Sequence, residues 1–235
     1  MLAPLPRRLA AALGLAACLA SLGSASAQRG QYCERTNYSA QEITDAVRAS
    51  PLRDDLKSTS CSLGGLGRFE SGGNKGVYNG SCCTGIFQLN NANVRKYAGT
   101  DREGYGCLSL QDQVNAWANL TNDGYNSPAV RQLASMSTFD GQKVDASLIA
   151  SCIQLGTGNC QKMVASGRCS GFSDINGTTI CGMANNARAQ ADPNCREGQA
   201  VCAPAGLGDF PTSTGVAANP PTAAGASLIV ASSDV

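Results

Sequence analysis

Through the first two-thirds of the chain, apolar residues recur at helical spacing, and residues that begin helices flank them. Ser39-Ala40-Gln41-Glu42 has the form of a capping box, with Ile43, Ala46 and Val47 following on one face. That predicts a helix over about 40–49, stopping near Pro51. Leu63, Leu66 and Phe69 make a second stripe that runs directly into Glu70 and a Gly-Gly break. Ile86, Leu89, Val94 and Tyr97 lie broadly on one side of a helix expected over 84–97. Ser109-Leu110-Gln111-Asp112 opens a further helix carrying Val114, Trp117 and Leu120 to about Gly124. Ser127-Pro128 is an N-cap followed by proline at the first helical position, and another helix is expected over 145–154. No stretch shows sustained strand-like alternation. The expected fold class is mainly α, with short helices and disulfide-linked loops.

From about residue 160 the pattern weakens into Cys-, Gly- and Asn-rich sequence, expected to form one or two short helices held by disulfides. After Cys202 the chain turns to Pro, Ala, Gly, Ser and Thr, a composition unable to bury a core. The predicted organisation is a signal peptide over 1–27, a helical domain over 28–195 and a disordered tail over 196–235.

The signal is read from Arg7 and Arg8, an uncharged Ala/Leu-rich run from Leu9 to Leu22, and Ala25-Ser26-Ala27 as a cleavage site. A competing reading is a lipoprotein box at Leu15-Ala16-Ala17-Cys18, in which an acylated Cys18 would attach the protein to a membrane. Either way the expected location is exported, in a bacterial periplasm or envelope. Removing the signal turns the formal charge from +1 to −1, which offers no basic surface for nucleic acid.

Twelve cysteines and no histidine narrow the chemistry. Eleven cysteines follow Ala27, scattered without repeated C-x-x-C pairs, which reads as a disulfide framework from an oxidising compartment rather than a zinc cluster. An odd count leaves one thiol over. Cys82 and Cys83 are adjacent and are expected to tie their loop to two different segments. Without histidine, Ser-His-Asp and Cys-His nucleophiles and His-ligated metals are excluded, leaving acid–base work to carboxylates, Lys, Tyr or Cys.

The most informative stretch is Glu70-Ser71-Gly72-Gly73-Asn74, followed by Thr84-Gly85-Ile86-Phe87-Gln88-Leu89-Asn90. Glu70 ends an apolar helical face at a glycine break, half-sheltered by core yet facing a cleft. Such surroundings raise a carboxyl pKa and suit a general acid. The alternative is a plain surface glutamate, mildly disfavoured at a helix C-terminus. Trp117, inside an apolar helix pattern, reads as core rather than a sugar platform.

The two segments, in this order and about fifteen residues apart, resemble the first two motifs of the lytic transglycosylases. These are lysozyme-like enzymes that cut peptidoglycan between N-acetylmuramic acid and N-acetylglucosamine. The resemblance spans roughly residues 60–160. It implies a lysozyme-like helical domain with Glu70 as catalytic acid and base and no metal or cofactor. It also places Ser71 and Gln88 beside the sugar and Gly85 where a glycine allows close approach; Tyr78, Asn90, Gln154 and Gly156 are further candidates for substrate contact. The family's third motif, Ala-Tyr-Asn-Ala-Gly, corresponds to Cys152-Ile153-Gln154-Leu155-Gly156. Ile153 stands where the family's tyrosine supports the glutamate, so either another hydroxyl, with Tyr78 and Tyr125 as candidates, takes that place or activity is reduced.

Two-carboxylate glycosidases need a second acid about 5–9.5 Å from the first. Between Ser71 and Thr100 there is no Asp or Glu; the nearest downstream are Asp101 and Glu103. A single-carboxylate, anhydro-ring-forming reaction fits better. The expected partner is a peptidoglycan glycan strand, in wall turnover or wall opening for a secretion or conjugation apparatus. Two other classes stay open: a non-catalytic glycan-binding or assembly protein, and a hydrolase using Asp101 or Glu103.

Overall fold

The computed structural model describes residues 30–174 and 176–198. The expected signal, Cys18, Cys202 and nearly all of the expected tail lie outside the described residues. Residues 196–198, the first three assigned to the tail, are placed. The Arg196 carbonyl accepts from Arg48 Nη2 at 2.7 Å, and Glu197 Oε2 accepts from the Cys61 N–H at 3.2 Å.

The helices begin where the capping signals lie. Helix α1 (Ala40–Ala49) starts with a complete capping box: Ser39 Oγ accepts the Glu42 N–H, and Glu42 Oε2 accepts the Ser39 N–H at 2.8 Å. After the short α2 (Asp54–Lys57) comes α3 (Cys61–Ser71). Helix α6 (Leu110–Tyr125) is capped by Ser109, α7 (Pro128–Ala134) by Ser127, and α8 (Ala146–Gln154) by Asp145. Two helices follow, α9 (Thr157–Ser166) and α10 (Ile180–Ala189).

Helix α3 lies between α1 and α10, and its glycines permit the approach. A Cβ on Gly64 would fall 2.2 Å from the Ala40 carbonyl oxygen, and one on Gly65 1.9 Å from that of Ala187. Leu63 and Leu66 enter one core with Ile43, Val47, Val114, Trp117 and the apolar body of α8, all buried. Trp117 is 1% exposed, a core residue as its pattern indicates.

The segment 84–97 departs from expectation. It forms no continuous helix but half of a small antiparallel sheet, β1 (Gly30–Gln31), β2 (Val77–Tyr78), β3 (Cys83–Thr84) and β4 (Leu89–Asn90), in that spatial order. Helical backbone resumes only at α4 (Asn91–Asn93) and a π-helical turn, Val94–Ala98. The cause lies at two positions. Gly85 has φ +89° and Gln88 φ +50°, both in the left-handed region that a right-handed helix cannot use. The two-residue strands are too short for alternation to register. The helix α5 (Arg102–Cys107) and the hairpin β5 (Thr138–Phe139)–β6 (Gln142–Lys143) were likewise not foreseen.

All ten cysteines among the described residues are paired. Cys33–Cys107 ties the leading segment to α5, Cys61–Cys195 closes the longest loop, Cys152–Cys160 joins α8 to α9, and Cys169–Cys181 anchors α10. The fifth overturns an expectation: Cys82 and Cys83 bond each other rather than two distant segments. Each of the other eight described cysteines has its own partner within the described residues.

Candidate active site

Glu70 lies in the last turn of α3, and that turn is braced on every side. Gly72 terminates the helix in the left-handed conformation, its N–H bonded to the Arg68 carbonyl. Arg68 Nη1 donates to Asn37 Oδ1, to the Tyr38 carbonyl and to that of Gly72. Asn74 binds the leading segment, donating to Gln31 Oε1 at 2.6 Å and accepting the Thr36 and Gly76 N–H groups. Ser71 Oγ donates to the Gly67 carbonyl at 2.8 Å and accepts the Gly73 N–H, so its hydroxyl serves the turn.

On α3, residues three apart share a face, so Glu70 follows Gly67. A Cβ on Gly67 would sit 3.4 Å from the Phe87 ring, which brings this face against the second motif. Phe87 in turn stacks on Trp117, with ring centroids 4.1 Å apart. Gln154 locks the pair: its Oε1 accepts from Trp117 Nε1 at 3.3 Å, and its Nε2 donates to the Phe87 carbonyl. Gly85 is packed tightly, since a Cβ there would meet Tyr105 at 2.4 Å and Gln113 at 2.6 Å. The buried Gln113 was absent from the sequence-based candidates. Its Oε1 accepts the Ile86 N–H at 2.9 Å, and its Nε2 donates to the Lys75 and Tyr105 carbonyls. A glutamine amid apolar neighbours on α6 is the only sign of it in sequence.

Gln88, Asn90 and Gln154 come together along one small groove of about 80 Å³, lined also by Cys83, Leu89, Asn93, Leu120 and Ile153. Ile153 packs into the space left by Gly124 on α6. Gly156 sits apart from this lining, as the φ +99° residue that begins α9. Tyr78 lies on the sheet under the Arg102 guanidinium, and its hydroxyl donates to the Ser81 carbonyl. Tyr125 donates to Asp55. Neither tyrosine takes the supporting position expected of it beside Glu70, because each hydroxyl is engaged elsewhere.

Glu70 itself has no hydrogen-bond partner among the described residues. The residue is only partly buried, but Oε1 is sealed from solvent and unpaired. Burial of this oxygen pushes the carboxyl up to about 8, with no neighbouring charge contributing. The acid is therefore protonated at neutral pH. Four buried side-chain atoms among the described residues lack partners, and three of them, on Glu70, Thr84 and Gln88, belong to the two motif segments; the fourth is Ser151 Oγ. Unpaired buried polar atoms are rare in folded proteins, and three of the four fall in the two motif segments.

Asp101 caps α5, its Oδ1 accepting the Gly104 N–H at 2.8 Å. Glu103 is exposed in the first turn of that helix. Among the described residues no three His, Cys, Asp or Glu side chains are placed to hold a metal ion. No described helix is long and apolar enough to cross a membrane. No family model matches the chain, and no curated protein or solved structure is significantly similar to it.

Proposed function

We propose that this protein is a lytic transglycosylase of lysozyme-like fold, cleaving the β-1,4 bond between N-acetylmuramic acid and N-acetylglucosamine. One observation carries the reading: Glu70 is a desolvated, unpartnered carboxyl that holds its proton to about pH 8. A general acid needs its proton at working pH, and burial without a neighbouring charge supplies it. Glu70 would give that proton to the glycosidic oxygen as the C1–O bond breaks. The resulting carboxylate would then take the proton of the muramic C6 hydroxyl, whose oxygen closes on C1 as a 1,6-anhydro ring. The substrate's own N-acetyl group would steady the positive charge on C1.

This route needs no second carboxylate. Asp101 accords with it, because its carboxylate caps α5 through Oδ1. The substrate would lie along the amide-lined groove, with Gln88 and Asn90 as candidates for its polar groups, while Gln154, engaged by Trp117 and Phe87, would shape the wall. The five disulfides accord with work in the bacterial envelope, in wall turnover or beside a secretion or conjugation apparatus. A second reading, a glycan-binding protein without turnover, draws on the missing hydroxyl partner of Glu70.

Incubating purified sacculi with the protein and analysing the soluble products by mass spectrometry tests the proposal. Anhydromuramyl ends are expected. Reducing muramic ends would point to hydrolysis, and no release to binding alone.

A further inference from the structure

The Cys82–Cys83 disulfide is the one bond of the five that joins no separate elements. Its sequence separation is 1, so it closes no chain loop and removes almost no conformational freedom from the unfolded chain. Stability of the fold does not account for it. Its place does more. Cys83 lines the groove with Gln88, Asn90 and Gln154, while Cys82 is exposed beside it.

The loop that presents the pair is stiffly held. Asn79 Oδ1 accepts three consecutive backbone N–H groups, those of Ser81, Cys82 and Cys83, at 2.9, 3.0 and 3.1 Å. The Tyr78 hydroxyl closes the other side on the Ser81 carbonyl at 2.9 Å. A small ring of covalent bonds on such a base is a fixed, polarizable, apolar surface.

The groove's chemistry says what that surface meets. Four carboxamides line it, those of Gln88, Asn90, Asn93 and Gln154, with Leu89, Leu120 and Ile153 between them and no charged side chain. A phosphate or carboxylate ligand would find no counter-charge there. Gln154 is spent on Trp117 and Phe87, but the unpartnered Gln88 Oε1, Asn90 Nδ2 and the Asn93 side-chain amide remain to meet the hydroxyl and acetamido groups of a neutral N-acetylated sugar. Sugar sites commonly add an aromatic ring on which the apolar face of the pyranose rests. No aromatic residue lines this groove. At about 80 Å³ it takes a substituent rather than a whole ring, so the pyranose must rest on the rim.

We propose that the Cys82–Cys83 disulfide is that rim platform, contacting the apolar face of a neutral N-acetylhexosamine whose acetamido group enters the groove. This rests on the glycan reading above and adds a contact residue pair to it.

The test uses the Glu70→Gln protein, which cannot turn over, titrated with N-acetylchitotetraose and followed by NMR. Two results are expected together. Cross-peaks should link the Cys82 and Cys83 β-protons to pyranose ring protons, and Cys82→Ala/Cys83→Ala on the same background should bind about tenfold more weakly, the scale of losing a small apolar contact. If the double variant does not fold, the cross-peaks in the disulfide-intact protein decide. Unchanged affinity in the double variant overturns the proposal. So does tetrasaccharide binding without contacts to the cysteine β-protons, which would leave the bond a loop brace. Absence of tetrasaccharide binding also overturns it, while anhydromuramyl products from sacculi would still uphold the enzymatic reading.

Discussion

Gln113 Oε1 accepts the backbone N–H of Ile86 at 2.9 Å, and this bond ties α6 to the second motif. The same side chain donates to the carbonyls of Lys75 and Tyr105, so one buried amide joins the two motif segments and α5 to the central helix. Substituting it with leucine would leave two buried backbone groups unpaired, the Ile86 N–H and the Lys75 carbonyl, while the Tyr105 carbonyl keeps the Leu108 N–H. Each costs about 1–3 kcal/mol, so Gln113→Leu should lower stability by at least ~2 kcal/mol. Chemical denaturation checks this; a loss below about 1 kcal/mol would mean that the segment is held by other contacts.

Glu70→Gln should stabilise the protein, and the gain should depend on pH. Below pH 4.5, the ordinary value for glutamate, folded and unfolded chains both carry the proton, and the two proteins should be equally stable. Above it the unfolded chain ionises while the folded one keeps its proton to about 8. The wild type therefore loses stability across that window and the glutamine variant does not. The expected difference at pH 8 is about 1–3 kcal/mol, allowing for relaxation of the site. Parallel melting curves from pH 4 to 9 read it directly.

On the proposed reading, the same protonation should set the rate. If protonated Glu70 is the acid, kcat/KM for sacculus cleavage should be steady through neutrality and fall as pH rises past about 8. A profile falling instead from about pH 4.5 would mean that the carboxyl keeps its ordinary affinity for protons.

Asp101→Ala should act on stability rather than chemistry. Losing the N-cap of α5 costs about 1 kcal/mol, whereas the single-carboxylate route leaves cleavage within about tenfold. Abolished cleavage in a protein that still folds would revive the hydrolase reading.

Legibility in sequence followed the range of the interactions. The capping signals at Ser39, Ser109 and Ser127 act within four residues, and each helix starts beside its signal. Glu70 at a glycine break was readable because Gly72 ends α3 through its own backbone. The 84–97 segment was misread because what shapes it lies elsewhere in the chain, in Gln113 and Tyr105 against Gly85. Apolar spacing alone could not reveal that Gln88 adopts φ +50°. The vicinal pairing of Cys82 and Cys83 was hidden for a similar reason, since it follows from where the other cysteines find partners. The bonds of Gln154 to Trp117 and Phe87 depend on the tertiary fold and leave no local mark in sequence.

The central claim is that one carboxyl does both proton transfers. It is tested most directly by the rate of anhydromuramyl release from sacculi by wild type and Glu70→Gln, side by side at pH 7. The account predicts anhydromuramyl products from the wild type and a rate at least ~10²–10⁴ lower for the variant, the contribution of one acid–base group, with the fold intact. Release by Glu70→Gln at the wild-type rate, or wild-type products ending in reducing muramic acid, would contradict it.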